Sequence, residues 1–535
     1  MFSYKKKDNS SLFNDFKNPD LIDISNPQNY IPIYNKFFSL NETNYNNINL
    51  NHHFTLYSIN KHETTNKFKA TLTDNDNKKY NKDIFIKYSP LLDPVKYMIG
   101  KYDISNNELF SLPTFDNVNN VNKKMNDPHN QAYVDGFFSY LTSTLLHEHN
   151  FINGIDFYGS FLGTKNNFEV NVFDDVEYML DSTFFQKYNN DLFHVDTDLV
   201  DNGNSYTRNH KKKLCFIDNN DNENGKNKII LELSDIKDIS HLDSIFSPST
   251  NADNVLMTHN DNEIIYEQSK NISTEPSKKS SIKSGDSDST CSSRSSITDT
   301  QNSDNSDNSD NSDNSDNSDN SDNSDYETIE SDENDELFAT INEFPVHAIA
   351  LEQCENTLDS IMMNDEIKPR EWDSIIIQIL MSLITFQEKF NLTHNDLHTN
   401  NIMYNKTELE FIYYKLDGKY YKVPTYGRIF KIIDFGRAIY KFRGKIMCSD
   451  SFHKKGDAAT QYNCEPFFND KKPRLEPNYS FDLCRLGCSL YDYIMDEEEC
   501  EDENINNIKT PIFKIMANWG KDDKTNAAQN KVLSY

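Results

Sequence analysis

Leu392 to Met403 reads LTHNDLHTNNIM, and this stretch decides the fold. It follows Glu371 to Phe390, where Trp372, Ile375, Ile376, Ile379, Leu380, Leu383 and Phe386 recur at helical spacing as one apolar stripe. It runs into NIMY, which has the character of a short strand. A helix, a tight polar loop of pattern H-x-D-x-x-x-x-N and a strand therefore follow one another. On such a loop the Asp396 carboxylate can orient an acceptor hydroxyl and take its proton. The amide oxygen of Asn401, five residues later, can reach a metal ion. Phosphoryl transfer asks for little more than a positioned hydroxyl and neutralised phosphate charge.

Two further motifs lie downstream. Ile432-Ile433-Asp434-Phe435-Gly436 brings an acidic residue to the end of an apolar strand, with a glycine for the turn that follows. Asp482-Leu483-Cys484-Arg485-Leu486-Gly487 opens a helix expected over Phe481–Met495. In this order and context the three motifs resemble the protein-kinase superfamily. HNDLHTNN is similar to the catalytic loop, IIDFG to the metal-binding motif, and DLCRLG to the helix beneath the active site. The wording of FIKYSPLLDP, THNDLHTNNIMY, IIDFGRAI and SFDLCRLG further resembles kinases of mimivirus-type giant viruses.

The resemblance implies roles for individual residues. Asp396 would be the catalytic acceptor-orienting residue. Asn401 and Asp434 would hold Mg²⁺. Asp482 would anchor the catalytic loop. Lys87, ending the strand IFIK, would contact the α- and β-phosphates of ATP. Its acidic partner would come from a helix over Gln131–His149, with Asp135 the candidate and Glu148 the alternative. Glu352-Gln353-Cys354 would form the hinge that meets adenine. His398 would stand near the γ-phosphate, where protein kinases usually carry lysine.

Four departures from the family pattern bear on function. Leu50–Lys87 contains no glycine, so the hairpin expected around Ile59–Asn66 lacks the loop whose amides approach phosphates closely. Asn395 replaces the arginine that receives an activation-loop phosphate. His398 is also found in haspin-like kinases and in small-molecule phosphotransferases of the aminoglycoside and choline kinase type. No Ala-Pro-Glu closes the activation segment. A protein serine/threonine kinase is the first expectation, a small-molecule kinase the second, and a pseudokinase scaffold the third.

The fold class that follows is α+β, a bilobal protein-kinase-like fold with a long disordered acidic insert in its small lobe. Residues 1–30 are polar and expected to be flexible. Residues 31–180 make the first part of the small lobe, with strands at HHFTLYSI, KFKATLT, KDIFIKY, IDFYGSFLG and FEVNVF. Residues 181–245 form a partly ordered insert containing KKLCFI and KIILEL. Residues 246–340 are low-complexity and disordered, with Ser-Asp-Asn repeated seven times from Ser303 to Asn323. Residues 341–355 supply the last small-lobe strand and the hinge. Residues 356–535 make a helical large lobe, shortened relative to the family, with a hairpin-like excursion at 405–428.

Bulk properties limit the partners. The net charge of −31 is uneven, because fourteen acids and no base lie between Gln301 and Leu337. No broad basic face remains to suggest nucleic acid or an anionic membrane. The longest apolar run, Ile375 to Phe386, is interrupted by Gln378 and Ser382 and is too short to span a bilayer. The N-terminus has no apolar signal core. The eight scattered cysteines suit reduced thiols in a cytosol-like compartment, the host cytoplasm or the virion for a viral chain. A protein substrate is the expected partner, and the oligomeric state is left open.

Overall fold

In a computed structural model the described residues are 2–115, 121–195, 264–265, 337–364, 367–498 and 505–520. Alternating burial builds the first layer. Phe68, Ala70 and Leu72 of the strand Lys67–Thr73 point inward, as do Ile84 and Ile86 of Lys79–Pro90. These two strands and Thr55–Thr64 form an antiparallel meander. The sheet has seven strands, in the order Ile24–Gln28, Phe157–Asn171, Phe338–Glu352, Lys79–Pro90, Lys67–Thr73, Thr55–Thr64, with Phe193–Val195 also pairing with Phe338–Glu352. Every pairing in it is antiparallel. IDFYGSFLG and FEVNVF, expected as separate strands, lie largely within one strand of 15 residues.

The helix Gln131–His149 has the expected limits and lies against this sheet. Asn130 caps its start, accepting from the Ala132 amide, and left-handed Asn150 ends it. Gly136 belongs in this helix for a packing reason. A Cβ there would stand 2.4 Å from Cε1 of His347. Two residues on, at the opposite side of the helix, Phe138 meets Phe435, Tyr440 and Phe386 at ring separations of 4.5, 4.8 and 5.3 Å. This aromatic group joins the helix to Phe386, Phe435 and Tyr440 within one continuous core.

The second half contains the helices Leu358–Met363, Trp372–Phe390, Ser480–Glu497 and Pro511–Trp519. The strands Ile402–Lys406 and Arg428–Ile432 pair with each other, and the excursion between them is a hairpin of Phe411–Leu416 and Lys419–Pro424. Another hairpin, Ile439–Phe442 with Lys445–Cys448, follows the IIDFG motif. Left-handed Asn391 terminates the helix Trp372–Phe390 and turns the chain into the decisive loop.

The expectation for residues 1–30 is corrected. A strand Tyr4–Lys6, a helix Ser10–Lys17 and a strand Ile24–Gln28 occupy this segment. Tyr4, Leu12, Phe16, Ile22 and Ile24 are buried in the main core. Two boundaries of the insert also move. Thr183–Tyr188 is a helix whose Phe185 is buried, and the strand Phe338–Glu352 begins inside the stretch expected to be disordered. Ala339 pairs with Val195, so the chain leaves and re-enters the sheet at one place. KKLCFI, KIILEL and the Ser-Asp-Asn repeat lie outside the described residues. Among the described residues no helix is long and apolar enough to cross a membrane, and Cys354, Cys448 and Cys464 are free thiols.

Two histidines of this core make stability depend on pH. His52 and His347 are 5% and 1% exposed, and burial pushes both imidazoles down to about 4. Between the ordinary histidine value and that lowered one, the unfolded chain binds protons that the folded chain does not. Stability therefore falls as pH drops from about 6.5 towards 4, by on the order of 3 kcal/mol per histidine at most. Melting curves at pH 7 and pH 5 check this. His347→Leu should flatten the acid limb, and an unchanged limb in that variant would remove His347 from the account.

Candidate active site

The decisive loop is held on three sides. Asp482, fully buried in the helix Ser480–Glu497, accepts from the amide of His394 at 2.9 Å and of Asn395 at 2.8 Å. His394 Nε2 lies 3.0 Å from the Ile433 carbonyl, and its Nδ1 accepts from the Asp396 amide at 3.3 Å. The imidazole is then the Nε2–H tautomer, a strut between the loop and the strand that carries Asp434. The Ile433 amide in turn donates to the Asn401 carbonyl at 3.0 Å. Asn395 and Asp434 both adopt left-handed backbone, with φ of +66° and +62°. Asn and Asp tolerate this region best, and side chains held there cluster at functional sites.

The structure brings Lys87, Asp135 and Asp434 together. Lys87 Nζ is 2.7 Å from Asp135 Oδ2 and 2.9 Å from Asp434 Oδ1. Burial opposes the charge on Lys87, but the two carboxylates outweigh it and hold the ammonium above its ordinary value. Asp135 is 2% exposed, and burial keeps its carboxyl raised despite Lys87. Asp434 has 44% of its side chain open, and Lys87 holds it below the usual carboxylate range against the effect of burial. Asp135 also accepts from the Phe435 amide at 2.9 Å, which ties the helix to the turn after Asp434. Of the two acids considered for Lys87, Asp135 is the one in contact. Glu148 lies near the other end of the helix and lines a separate cavity with Lys389 and Arg443.

Across the loop, Asn401 Nδ2 donates to the Asp396 carbonyl at 2.8 Å, leaving Oδ1 to accept or to ligate. His398 precedes the short turn Thr399–Asn401, and its carbonyl accepts from the Asn401 amide at 2.9 Å. Burial pushes its imidazole below the ordinary value, against the pull of Asp396 and with the help of Arg485. It is neutral near pH 7.

The residues expected to form the hinge are placed differently from one another. The Glu352 carboxylate is committed inside the protein. Its Oε1 accepts from the Asp156 amide at 2.8 Å and from Lys431 Nζ, and its Oε2 accepts from Asn405 Nδ2 at 2.8 Å. The Glu352 amide donates to the Asp156 carbonyl at 3.0 Å. Cys354 is 6% exposed, and burial pushes its thiol up to about 12, which makes it unreactive. At the other wall, the turn Thr65-Asn66 joins Thr55–Thr64 to Lys67–Thr73, with Asn66 at φ +63°. The Asn66 carbonyl accepts from the Ile86 amide at 2.8 Å, which sets this glycine-free turn beside Lys87.

Several site residues were not visible in the motifs. Arg485 Nη2 lies 3.1 Å from Asp396 Oδ1, and Arg437 Nε lies 3.9 Å from Asp396 Oδ2. Arg437 also pairs with Asp457. Asn395, in the place of an arginine, donates through Nδ2 to the Arg437 carbonyl at 2.9 Å and accepts from the Tyr462 hydroxyl at 2.7 Å. The segment after Gly436 is thus tied to the loop by neutral and ionic side chains. One signal was available: Arg485 is three residues from Asp482, hence on the same helical face. Arg437, Asp457 and Tyr462 have no such signature, because their partners are set by tertiary structure.

No family model matches the chain. Curated proteins that share part of it include two of kinase type. Serine/threonine-protein kinase haspin of Bos taurus is 36% identical over 100 residues, 19% of this chain and 12% of that protein. Serine/threonine-protein kinase haspin of Mus musculus is 33% identical over 95 residues, 18% of this chain and 12% of that protein. The chain therefore matches about an eighth of the length of these relatives. The similarity is partial, and it is to proteins of kinase type.

Proposed function

We propose that this chain is an ATP-dependent phosphotransferase with a bilobal, protein-kinase-like fold, acting as a protein serine/threonine kinase. The observation that carries this reading is the position of Lys87 Nζ between Asp135 and Asp434, at 2.7 and 2.9 Å. Such a lysine is fixed in direction, and its charge stands where phosphate oxygens would need it. The antiparallel sheet, with a helix between its lysine strand and the strand Phe157–Asn171, supports the small-lobe assignment. The partial likeness to haspin supports a hydroxyl acceptor on protein.

The residues fit a nucleotide carrying a divalent cation. Asn401 Oδ1 and the partly open Asp434 carboxylate are hard oxygen donors of the type Mg²⁺ takes. Among the described residues no group of three or more His, Cys, Asp or Glu gathers as a metal cage. Two protein oxygens suit a cation that fills its other positions with phosphate and water. Bound there, the cation would neutralise charge on the phosphates. Lys87 would orient the α- and β-phosphates, Asp396 would accept the hydrogen bond of the acceptor hydroxyl, and neutral His398 would donate to the transferring group. The backbone of Glu352–Cys354 would meet adenine; the Glu352 side chain is engaged elsewhere.

A second reading rests on His398. A neutral imidazole beside Asp396 also suits a small-molecule kinase on the same fold. Transfer of labelled γ-phosphate to generic protein substrates, with amino alcohols and sugars in parallel, decides between them. We expect phosphoserine or phosphothreonine on protein. Transfer to an amino alcohol or sugar alone would establish the second reading. Absence of transfer to either class, with no thermal shift from millimolar-range Mg-ATP, would establish a scaffold without catalysis.

A further inference from the structure

Asp396 is gripped from a direction that the catalytic-loop motif does not foresee. Asp482 and Arg485 lie on one face of the helix Ser480–Glu497. The first holds the backbone of His394 and Asn395, and the second holds the side chain of Asp396. The helix itself is closely seated. A Cβ on Gly487 would stand 2.9 Å from both the Met516 carbonyl and Trp519 Cβ, so the helix Pro511–Trp519 lies directly against it. Arg485 therefore approaches Asp396 from a rigid platform.

The two carboxylate oxygens are treated unequally. Oδ1 receives Arg485 Nη2 at 3.1 Å, a hydrogen-bonded ion pair with side chains 19% and 30% exposed. Oδ2 has Arg437 Nε only at 3.9 Å, and another nitrogen of that guanidinium is taken by Asp457. Oδ2 is thus the oxygen left to face an incoming hydroxyl.

We propose that Arg485 is a positioning residue for phosphoryl transfer, fixing the Asp396 side chain through Oδ1 so that Oδ2 meets the acceptor hydroxyl. The proposal rests on the phosphotransferase reading above. Arg485 sits under the loop and pairs with Asp396, whereas Lys87 and Asp434 pair with each other. Its loss should change turnover and leave nucleotide binding alone.

The test compares Arg485→Met, which removes the charge at similar length, with Arg485→Lys, which keeps a cation but not the guanidinium fork. In the methionine variant kcat should fall about ten- to a hundredfold, the scale of a misplaced catalytic group. KM for ATP should stay within about twofold, since a positioning loss need not weaken nucleotide binding. The lysine variant should recover part of kcat. Wild-type kcat in a folded methionine variant would overturn the proposal. If that variant does not fold, the lysine variant is judged by the same split. A crystal structure of whichever variant folds gives a readout that needs no activity. Asp396 turned away from its present rotamer supports the proposal, and Asp396 unmoved overturns it. Wild-type protein that transfers no phosphate would instead overturn the phosphotransferase reading, and the crystal comparison would still decide the role of Arg485.

Discussion

Asp434→Asn is expected to lower phosphoryl transfer about a hundredfold or more, about 3 kcal/mol of transition-state stabilisation, while the protein melts at or above its wild-type temperature. The two halves of this expectation come from the same triad. Asp434 is the exposed member, with 44% of its side chain open, so removing its charge leaves no buried group unpaired. Lys87 keeps Asp135 at 2.7 Å. Lys87→Met behaves differently. It leaves the Asp135 carboxylate, 3% exposed, without its cation, and retains only the Phe435 amide as donor. That variant should lose activity and also about 2 kcal/mol of stability. Paired melting and turnover measurements separate the two. If Asp434→Asn turns over like wild type, the metal-binding role proposed for Asp434 is wrong.

The parts of the molecule that sequence reveals are those whose signal is local. The helix Gln131–His149 and the loop His394–Asn401 are legible because periodicity and residue order are properties of neighbouring positions. The N-terminal segment was misjudged because its polar residues are inside. Asn9 Nδ2 donates to Asn29 Oδ1 at 2.6 Å and to Asn49 Oδ1 at 3.0 Å, and Asn44 Nδ2 donates to the Tyr4 hydroxyl at 3.1 Å. Asparagines that hydrogen-bond to one another can be buried, and composition counts them as exposed. The choice between Asp135 and Glu148 needed the third dimension for a related reason. Both are acids on one helix, and only the packing of Phe138 and Gly136 against the surrounding elements fixes which of them faces Lys87. Arg437 was missed because an arginine after a turn has no sequence mark for a partner 41 residues away, and the one mark of Arg485, its place three residues after Asp482, does not name Asp396 as its partner.

Glu352 ties separate segments of the fold together. Its carboxylate collects donors from three segments: the Asp156 amide, Asn405 Nδ2 and Lys431 Nζ. Asp156 precedes a sheet strand, whereas Asn405 and Lys431 lie on the paired strands of the second half. Lys431 has 6% of its side chain exposed, and its other acceptor is the Gly154 carbonyl at 2.8 Å. Glu352→Ala therefore leaves a buried ammonium with a neutral partner and should cost about 3 kcal/mol, a fall of several degrees in Tm. Lys431→Met alone should cost less, because Glu352 is 17% exposed and keeps two neutral donors. In Glu352→Ala with Lys431→Met neither charge is stranded, so the double variant should regain much of the loss. Thermal melts of the four proteins give the coupling directly. If the double variant is as unstable as the sum of the singles, the pair does not act as a unit. Nucleotide affinity supplies the other arm of the argument. A side chain occupied on both oxygens cannot also contact adenine, so affinity should follow stability in these variants rather than fall independently of it.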